Sequence, residues 1–237
     1  MSELLNSLLQ KLDEPSARFA QLDRYYAGEQ PLAFLSPDSK EALGDRLSRM
    51  SVNIPKLAVT ALAERLRVIG FAQNGEPDLQ LWQDWIANDM DQLAPVAHRE
   101  ALTLGASYVI VWADQFGDPS VTVESARQVA VIRDPGTRRI VAAVKKWETS
   151  KTTEAVLYEA DKITRYSSDQ TGAATFGQFK TVEVLDNPLG MVPVVALRNS
   201  DRLLDDGVSE MTDLIPLVDA LNKLLADMMV RDRKSVV

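Results

Sequence analysis

Leu4, Leu5, Leu8, Leu9 and Leu12 recur at intervals of three and four, which puts them on one face of a helix. Ser2 stands ahead of them as a cap. Pro15 and Ser16 restart the chain into a second predicted helix, through Phe19, Leu22 and Tyr26, and Gly28 is its natural stop. Gln30–Pro37 reads as an extended link and Asp38–Met50 as a short helix. Asn53 is placed to cap the next helix, with Pro55 in its first turn, where the missing N–H costs little. That helix carries Leu57, Ala58, Ala61, Leu62, Arg65 and Leu66 and ends at Gly70. After a turn at Asn74–Pro77, a helix from about Asp78 to Met90 gathers Leu81, Trp82, Trp85 and Ile86 on one face. Asp91 is expected to cap a further helix running to Gly105, with Pro95 near its start as a source of a kink.

The period then changes. Tyr108–Trp112 is apolar and β-rich, and Val121 and Val123 alternate with Thr122 and Glu124 as in a half-buried strand. Val129–Ile132 and Ile140–Trp147 flank Asp134-Pro135-Gly136-Thr137, where proline second and glycine third suit a type II turn. Ala155–Tyr158, Ile163–Tyr166 and Val182–Leu185 continue a meander. Ser167–Gln178, polar and glycine-bearing, reads as a mobile loop tip. The run DNPLG at 186–190 is a second turn, before a strand over Pro193–Leu197. Leu214, Leu217, Val218, Leu221, Leu224, Leu225, Met228 and Met229 form one broad stripe on a last helix, with Asp213 as its cap and Pro216 in its first turn. Each such side chain contributes about 1.5–3 kcal/mol when buried, so this helix is expected to pack on something.

These elements predict an α+β fold: N-terminal helices, a central antiparallel sheet or meander, and a long C-terminal amphipathic helix. Tight turns and the lack of crossover helices argue for antiparallel pairing. The expected divisions are a helical arm at 1–50, a helical subdomain at 51–105, an antiparallel β subdomain at 106–198 and the C-terminal helix at 199–237. The final RDRKSVV carries no capping glycine and reads as cut rather than finished.

Composition removes several functions. The 237 residues are 46% hydrophobic and 25% charged, enough for one large domain or two small ones. With no cysteine there is no disulfide, thiolate metal site or cysteine nucleophile, and a single histidine, His98, excludes any site needing two imidazoles. The net charge of -8 advertises no basic patch for nucleic acid. Val129–Ile132 and Val192–Leu197 fall far short of the ~20 apolar residues of a membrane span. The start, MSELLNSLLQKLDE, has no basic region of a secretory signal.

Motifs of chemistry are missing too. There is no GxxxxGK[ST], no GxGxxG after a strand and no GxSxG. His98, in HREAL, reads as a helix-surface histidine. Asp89-Met90-Asp91 has the spacing of a metal-binding pair but fits a helix break with a cap better. Asp205-Asp206-Gly207 looks like part of a calcium loop, yet Arg202 and Leu203 hold the preceding ligand positions. Trp82 and Trp85 read as helix-face core rather than a sugar platform. Arg138-Arg139 and Lys145-Lys146 lie on the predicted hairpin, as a solvated strand face or, more sharply read, a phosphate contact. No pair stands out among the 34 acids for hydrolytic chemistry. No catalytic, cofactor-binding or metal-ligating residue is therefore expected.

Five runs carry a resemblance: DRYYAGEQPLAFLS at 23–36, NIPKLAVTALAERLRVIGF at 53–71, AHREALTLGASYVIVW at 97–112, DNPLGMVPVVALRN at 186–199 and SEMTDLIPLVDALNKLLADMMV at 209–230. In order, and covering nearly the whole chain, they resemble the portal proteins of tailed bacteriophages, especially the long, non-contractile-tailed branch that infects actinobacteria. The resemblance implies a structural, non-enzymatic subunit with no cofactor. It implies a ring, usually of twelve copies, at one capsid vertex, through which double-stranded DNA passes in packaging and ejection. Its partners would be further copies of itself, the terminase motor that hydrolyses ATP, capsid and scaffold proteins and the head–tail connector, with no membrane. Its place would be the virion, after assembly in the bacterial cytoplasm. The family's motif positions fall on Tyr25, Tyr26, Gly28, Asn53, Gly105, Trp112, Asn187, Pro188, Gly190, Pro193, Asp219 and Asn222. Leu221, Leu225, Met228 and Met229 are candidate interface positions. Family members continue into a stem, clip, tunnel loop and crown, so this chain corresponds to the peripheral wing and the helix leading inward. It is expected to be a monomer or small oligomer by itself. The rivals are a small hydrolase working through two converging carboxylates, one with a raised pKa, and a non-functional prophage remnant.

Overall fold

The computed structural model describes residues 2–30, 53–200 and 202–234, with side chains described for all of these except 2 and 229–234. The link expected at Gln30–Pro37 and the helix expected at Asp38–Met50 fall almost wholly within 31–52, outside the described residues.

The leucine stripe forms helix α1 (Ser2–Asp13). Helix α2 (Ser16–Ala27) follows and is closed by Gly28 in the left-handed conformation, φ 78°. Asn53 caps α3 (Ile54–Ala63), its side chain accepting from Lys56 N at 3.1 Å. That helix stops at Ala63, well before Gly70, so Arg65 and Leu66 lie beyond it. The chain instead tightens there, Arg65 N and Leu66 N donating three residues back to Leu62 O and Ala63 O. A small ribbon follows, β1 (Ala72–Gln73) with β2 (Glu76–Pro77). Asp78 caps α4 (Leu79–Ala87) by accepting from Leu81 N at 2.9 Å. Helix α5 (Met90–Leu104) starts earlier than expected. Asp89, at φ 54°, is its cap residue, and Asp91 sits in its first turn. The Asp89-Met90-Asp91 pattern is thus a helix break.

Beyond that ribbon, the described strands form two antiparallel sheets rather than one. In the first, of three strands, β3 (Ala106–Ala113) lies between β4 (Pro119–Ser125) and β10 (Val194–Arg198). The second is a meander in chain order: β5 (Val129–Arg133), β6 (Ile140–Glu148), β7 (Thr153–Tyr158), β8 (Lys162–Ser168) and β9 (Lys180–Asp186). The β5–β6 hairpin has a different turn from the expected one. Gly136 does not take the positive φ that a type II turn needs there, whereas Arg138 does, at 61°. The Asp134 carboxylate accepts from Thr137 N at 2.6 Å and from its hydroxyl at 2.8 Å, and this side-chain turn overrides the Pro-Gly signal.

Three apolar layers hold the fold. Leu5, Leu8, Leu9 and Leu12 of α1 lie on the five-stranded sheet against Val144, Leu157 and Tyr166. Residues Ser167–Gln178 are tied into that layer, contrary to their reading as a mobile tip. Ala173 is fully buried, Thr153 Oγ1 donates to Gln170 O at 2.9 Å, and Phe176 N donates to Asn6 Oδ1 at 2.7 Å. A second layer joins α2, α3 and α5 through Leu22, Val59, Leu102 and Met211. The third lies between the two sheets: Ile110, Val129, Val131, Ala143, Val192 and Val194. Helix α6 (Ile215–Lys234) begins after Leu214 and packs against α3.

Candidate functional site

Helices α2, α3 and α6 meet at a polar junction. Tyr25, only 3% exposed, donates its hydroxyl to Asp219 Oδ1 at 2.7 Å, joining α2 to α6. The next residue, Tyr26, offers its carbonyl to Asn53 Nδ2 at 2.9 Å, while Asn53 Oδ1 caps α3. One amide thus closes the end of α2 and opens α3. Lys56 reaches back over the Tyr26 ring, 5.7 Å from its centroid. Gly28 suits this place through its φ of 78°, and a Cβ there would also come within 3.1 Å of Asn53 Nδ2. One turn beyond Asp219, Asn222 is buried, and its Nδ2 has no hydrogen-bond partner among the described residues. Tyr25, Tyr26, Gly28, Asn53 and Asp219, scattered in sequence, are therefore linked at one junction, with Asn222 one turn from Asp219 on α6.

Burial, and then the hydrogen bond and charge of Asp219, push the Tyr25 hydroxyl from 10.0 up to about 12. Burial and Glu124 do the same for Tyr158. A raised pKa means the folded state keeps a proton that the unfolded chain releases. The associated stability is whole below pH 10 and is lost as pH rises from about 10 through about 12. Tyr25→Phe is expected to cost about 1–3 kcal/mol at neutral pH and to flatten, without abolishing, the alkaline loss. Urea titrations from pH 8 to 12 measure both; a mutant curve parallel to the wild type would rule the junction out as a source.

The other motif positions sit elsewhere. Gly105, φ 98°, ends α5, and its carbonyl accepts from Asn199 N at 2.9 Å. Trp112 lies half-buried in β3, lining a cleft of about 300 Å3 between the sheets. Asn187 is buried at the turn after β9. Its Nδ2 donates to Glu159 O and Met191 O, both at 2.8 Å, and its Oδ1 accepts from Leu189 N at 3.1 Å. Pro188 and Gly190, φ 63°, complete that turn, and Pro193 O accepts from Val111 N at 3.0 Å. These groups shape backbone and present no reactive atom.

The α6 stripe is split. Val218, Asn222 and Ala226 face inward, Leu221 and Leu225 are half-buried, and Leu217, Leu224 and Met228 are exposed at 61–67%. Met229 lies in the helix, but its side chain is outside the described residues. The helix thus packs on something, as expected, with one face on α3 while the other turns outward.

Nothing in the described residues assembles a hydrolytic pair. Glu124 is gripped by Lys145 Nζ at 2.5 Å and Thr122 Oγ1 at 2.8 Å. Glu154 accepts from Ser167 at 2.7 Å and Thr152 at 3.0 Å, with Arg165 at 3.7 Å. Lys146 pairs with Asp13 at 3.5 Å. Both lysines of the predicted hairpin face are thus committed to acids of this chain. No group of three or more histidine, aspartate or glutamate side chains able to hold a metal occurs among the described residues. Nor is any helix among them long and apolar enough to cross a membrane. Sequence reading missed Gly207: a Cβ there would run into the Gly105 carbonyl, so this glycine serves a close backbone approach rather than a calcium loop.

Among the described residues the motif positions thus serve a helical junction and the turns and strands of two antiparallel sheets. The family of phage portal proteins described as SPP1 Gp6-like matches residues 5–232, and the chain belongs to that family. It is 34% identical to the portal protein of Mycobacterium phage D29, across 73% of this chain and 38% of that protein. It is 28% identical to the portal protein of Mycobacterium phage L5, across 92% of this chain and 46% of that one. The chain spans less than half the length of either curated relative.

Proposed function

We propose that this chain is the wing-bearing part of a portal subunit, a structural and non-enzymatic component of a ring at one capsid vertex. The ring passes double-stranded DNA during packaging and ejection. It engages the terminase motor, capsid and scaffold proteins and the head–tail connector, in the host cytoplasm during assembly and in the virion afterwards. The observation that carries this reading is the family match, which runs through helices and both sheets from residue 5 to 232. Among the described residues, the two buried acids, Glu124 and Glu154, are already engaged by cations and hydroxyls, which favours this reading over the hydrolase. The motif positions act as joints between elements, with the exposed face of α6 as the subunit contact.

The test is a chimera in which residues 1–237 replace the matching portion of the Mycobacterium phage L5 portal protein. It is expected to close into a ring, seen by light scattering and electron microscopy. Residues 1–237 by themselves are expected to remain a monomer or a small, concentration-dependent oligomer. A folded chimera that stays monomeric, while the parent closes, would sink the reading.

A further inference from the structure

Each of the two larger sheets ends in two edge strands, β10 and β4 in one, β5 and β9 in the other. An edge strand presents unpaired N–H and C=O groups that can recruit another chain, and folded proteins blunt such edges. Three of these edges are blunted by their own strands. β9 holds Lys180, Glu183 and Asp186 and pairs with β8 through an irregular register. β5 breaks register between Ile132 and Arg133, and β10 is short and ends in Arg198. β4 is different. Past Pro119, which has no N–H to offer, it is rich in β-branched residues and pairs with β3 in unbroken register. Its single acid, Glu124, is buried and turned to Lys145.

The register fixes which groups of β4 face the open edge. Val111 N donates to Pro193 O at 3.0 Å, on the β10 side, so the odd-numbered residues of β3 bond toward β10 and the even-numbered ones toward β4. In β4 the even-numbered residues therefore bond to β3, and Pro119, Val121 and Val123 turn their backbone groups outward. Asn88 stands at this edge. Its Nδ2 donates to Pro119 O at 2.9 Å, and its Oδ1 accepts from Val121 N at 2.8 Å. One side-chain amide thus gives β4 the donor and the acceptor that the backbone of a neighbouring strand would give. The amide is held firmly. Asn88 closes α4, its backbone N donating to Asp84 O at 3.2 Å and its Nδ2 donating to the same carbonyl at 2.8 Å. Asp89, at φ 54°, then turns the chain into α5, which packs on β4. Past Asn88, the outward N–H and C=O of Val123 have no hydrogen-bond partner among the described residues.

We propose that Asn88 guards the edge of β4, occupying the place of a neighbouring strand so that the β4 edge of a second copy of this chain cannot pair there. A second copy is the partner excluded because an uncharged strand edge is complementary to itself. About a two-fold axis two such edges run antiparallel, donors opposite acceptors. The inference rests on this strand geometry alone and not on the portal reading.

The experiment is light scattering of the full chain over a concentration series, wild type beside Asn88→Ala. The substitution opens the edge, and self-association about tenfold tighter or more is expected. Gln83→Ala, at an exposed position of α4, should leave association unchanged. A loosened fold would also associate, so Val123→Pro is added to Asn88→Ala. Proline there removes an outward N–H, spares the ladder to β3 and bars pairing. It is expected to return the variant to wild-type behaviour although it restores no contact of Asn88. If Asn88→Ala fails to fold, Asn88→Ser, too short to bridge Pro119 and Val121, takes its place. Amide exchange gives a second readout: the Val123 N–H should become protected with rising concentration in the opened variant and not in the wild type. A folded variant that associates no more than the wild type overturns the proposal. So does association that survives Val123→Pro or leaves the Val123 N–H unprotected.

Discussion

Gly207→Ala is expected to destabilise the protein by about 3–5 kcal/mol. Gly207 sits at φ 126°, which L side chains rarely adopt, and an added Cβ would collide with the backbone of Gly105. The collision is backbone against backbone, so no side chain can rotate away. Relief would require moving the segment that returns the chain to α5. That segment is pinned by Asn199 N to Gly105 O at 2.9 Å, Val208 N to Asn199 O at 2.8 Å and Glu210 N to Leu102 O at 2.9 Å. Gly105→Ala meets the same wall from the other side, its Cβ 2.8 Å from Gly207 C. Urea unfolding measures the cost. A Gly207→Ala protein within about 1 kcal/mol of the wild type would mean that the two segments separate easily and that this joint is not structural.

Leu9→Ala is expected to cost about 2–5 kcal/mol, the range for emptying a fully packed leucine site. Leu5, Leu8 and Leu9 are all 0% exposed, and they cover Val144, Leu157 and Tyr166 of the five-stranded sheet. Without α1 that sheet face would lie open. The loss should therefore appear as a lower urea midpoint together with faster amide exchange in β6 and β7. A surface control, Gln10→Ala on the same helix, should change little. If Leu9→Ala behaves like that control, α1 is a detachable arm after all, and the apolar contact contributes nothing to the sheet.

That contact marks where sequence reading stopped. The leucine spacing sufficed for α1, because helical periodicity is local. It could not say that residues 2–13 lie on strands more than a hundred positions later. Similarly, Asn53 was legible as a cap, since Asn followed by Ile-Pro has a local reason to start a helix. Its second bond, to the Tyr26 carbonyl, depends on the close of α2 lying beside it. Tyr25 and Asp219 stood out only through resemblance. Their hydrogen bond spans 194 positions, and no spacing rule reaches that far.

By itself the sequence determined the α+β class, the antiparallel meander, most helix starts and the absence of recognisable catalytic motifs. Each of these follows from side-chain period, turn chemistry or residue type within a few positions. The tertiary structure decided the rest. It split the strands into two sheets by returning β10 to β3 instead of β9. It replaced the Pro-Gly turn at 135–136 with an Asp134 side-chain turn. It tied Lys145 and Lys146 to acids of the same chain. It also turned Leu217, Leu224 and Met228 outward. These outcomes depend on which surfaces meet at long range, where burial and charge pairing outweigh the local preferences a sequence displays.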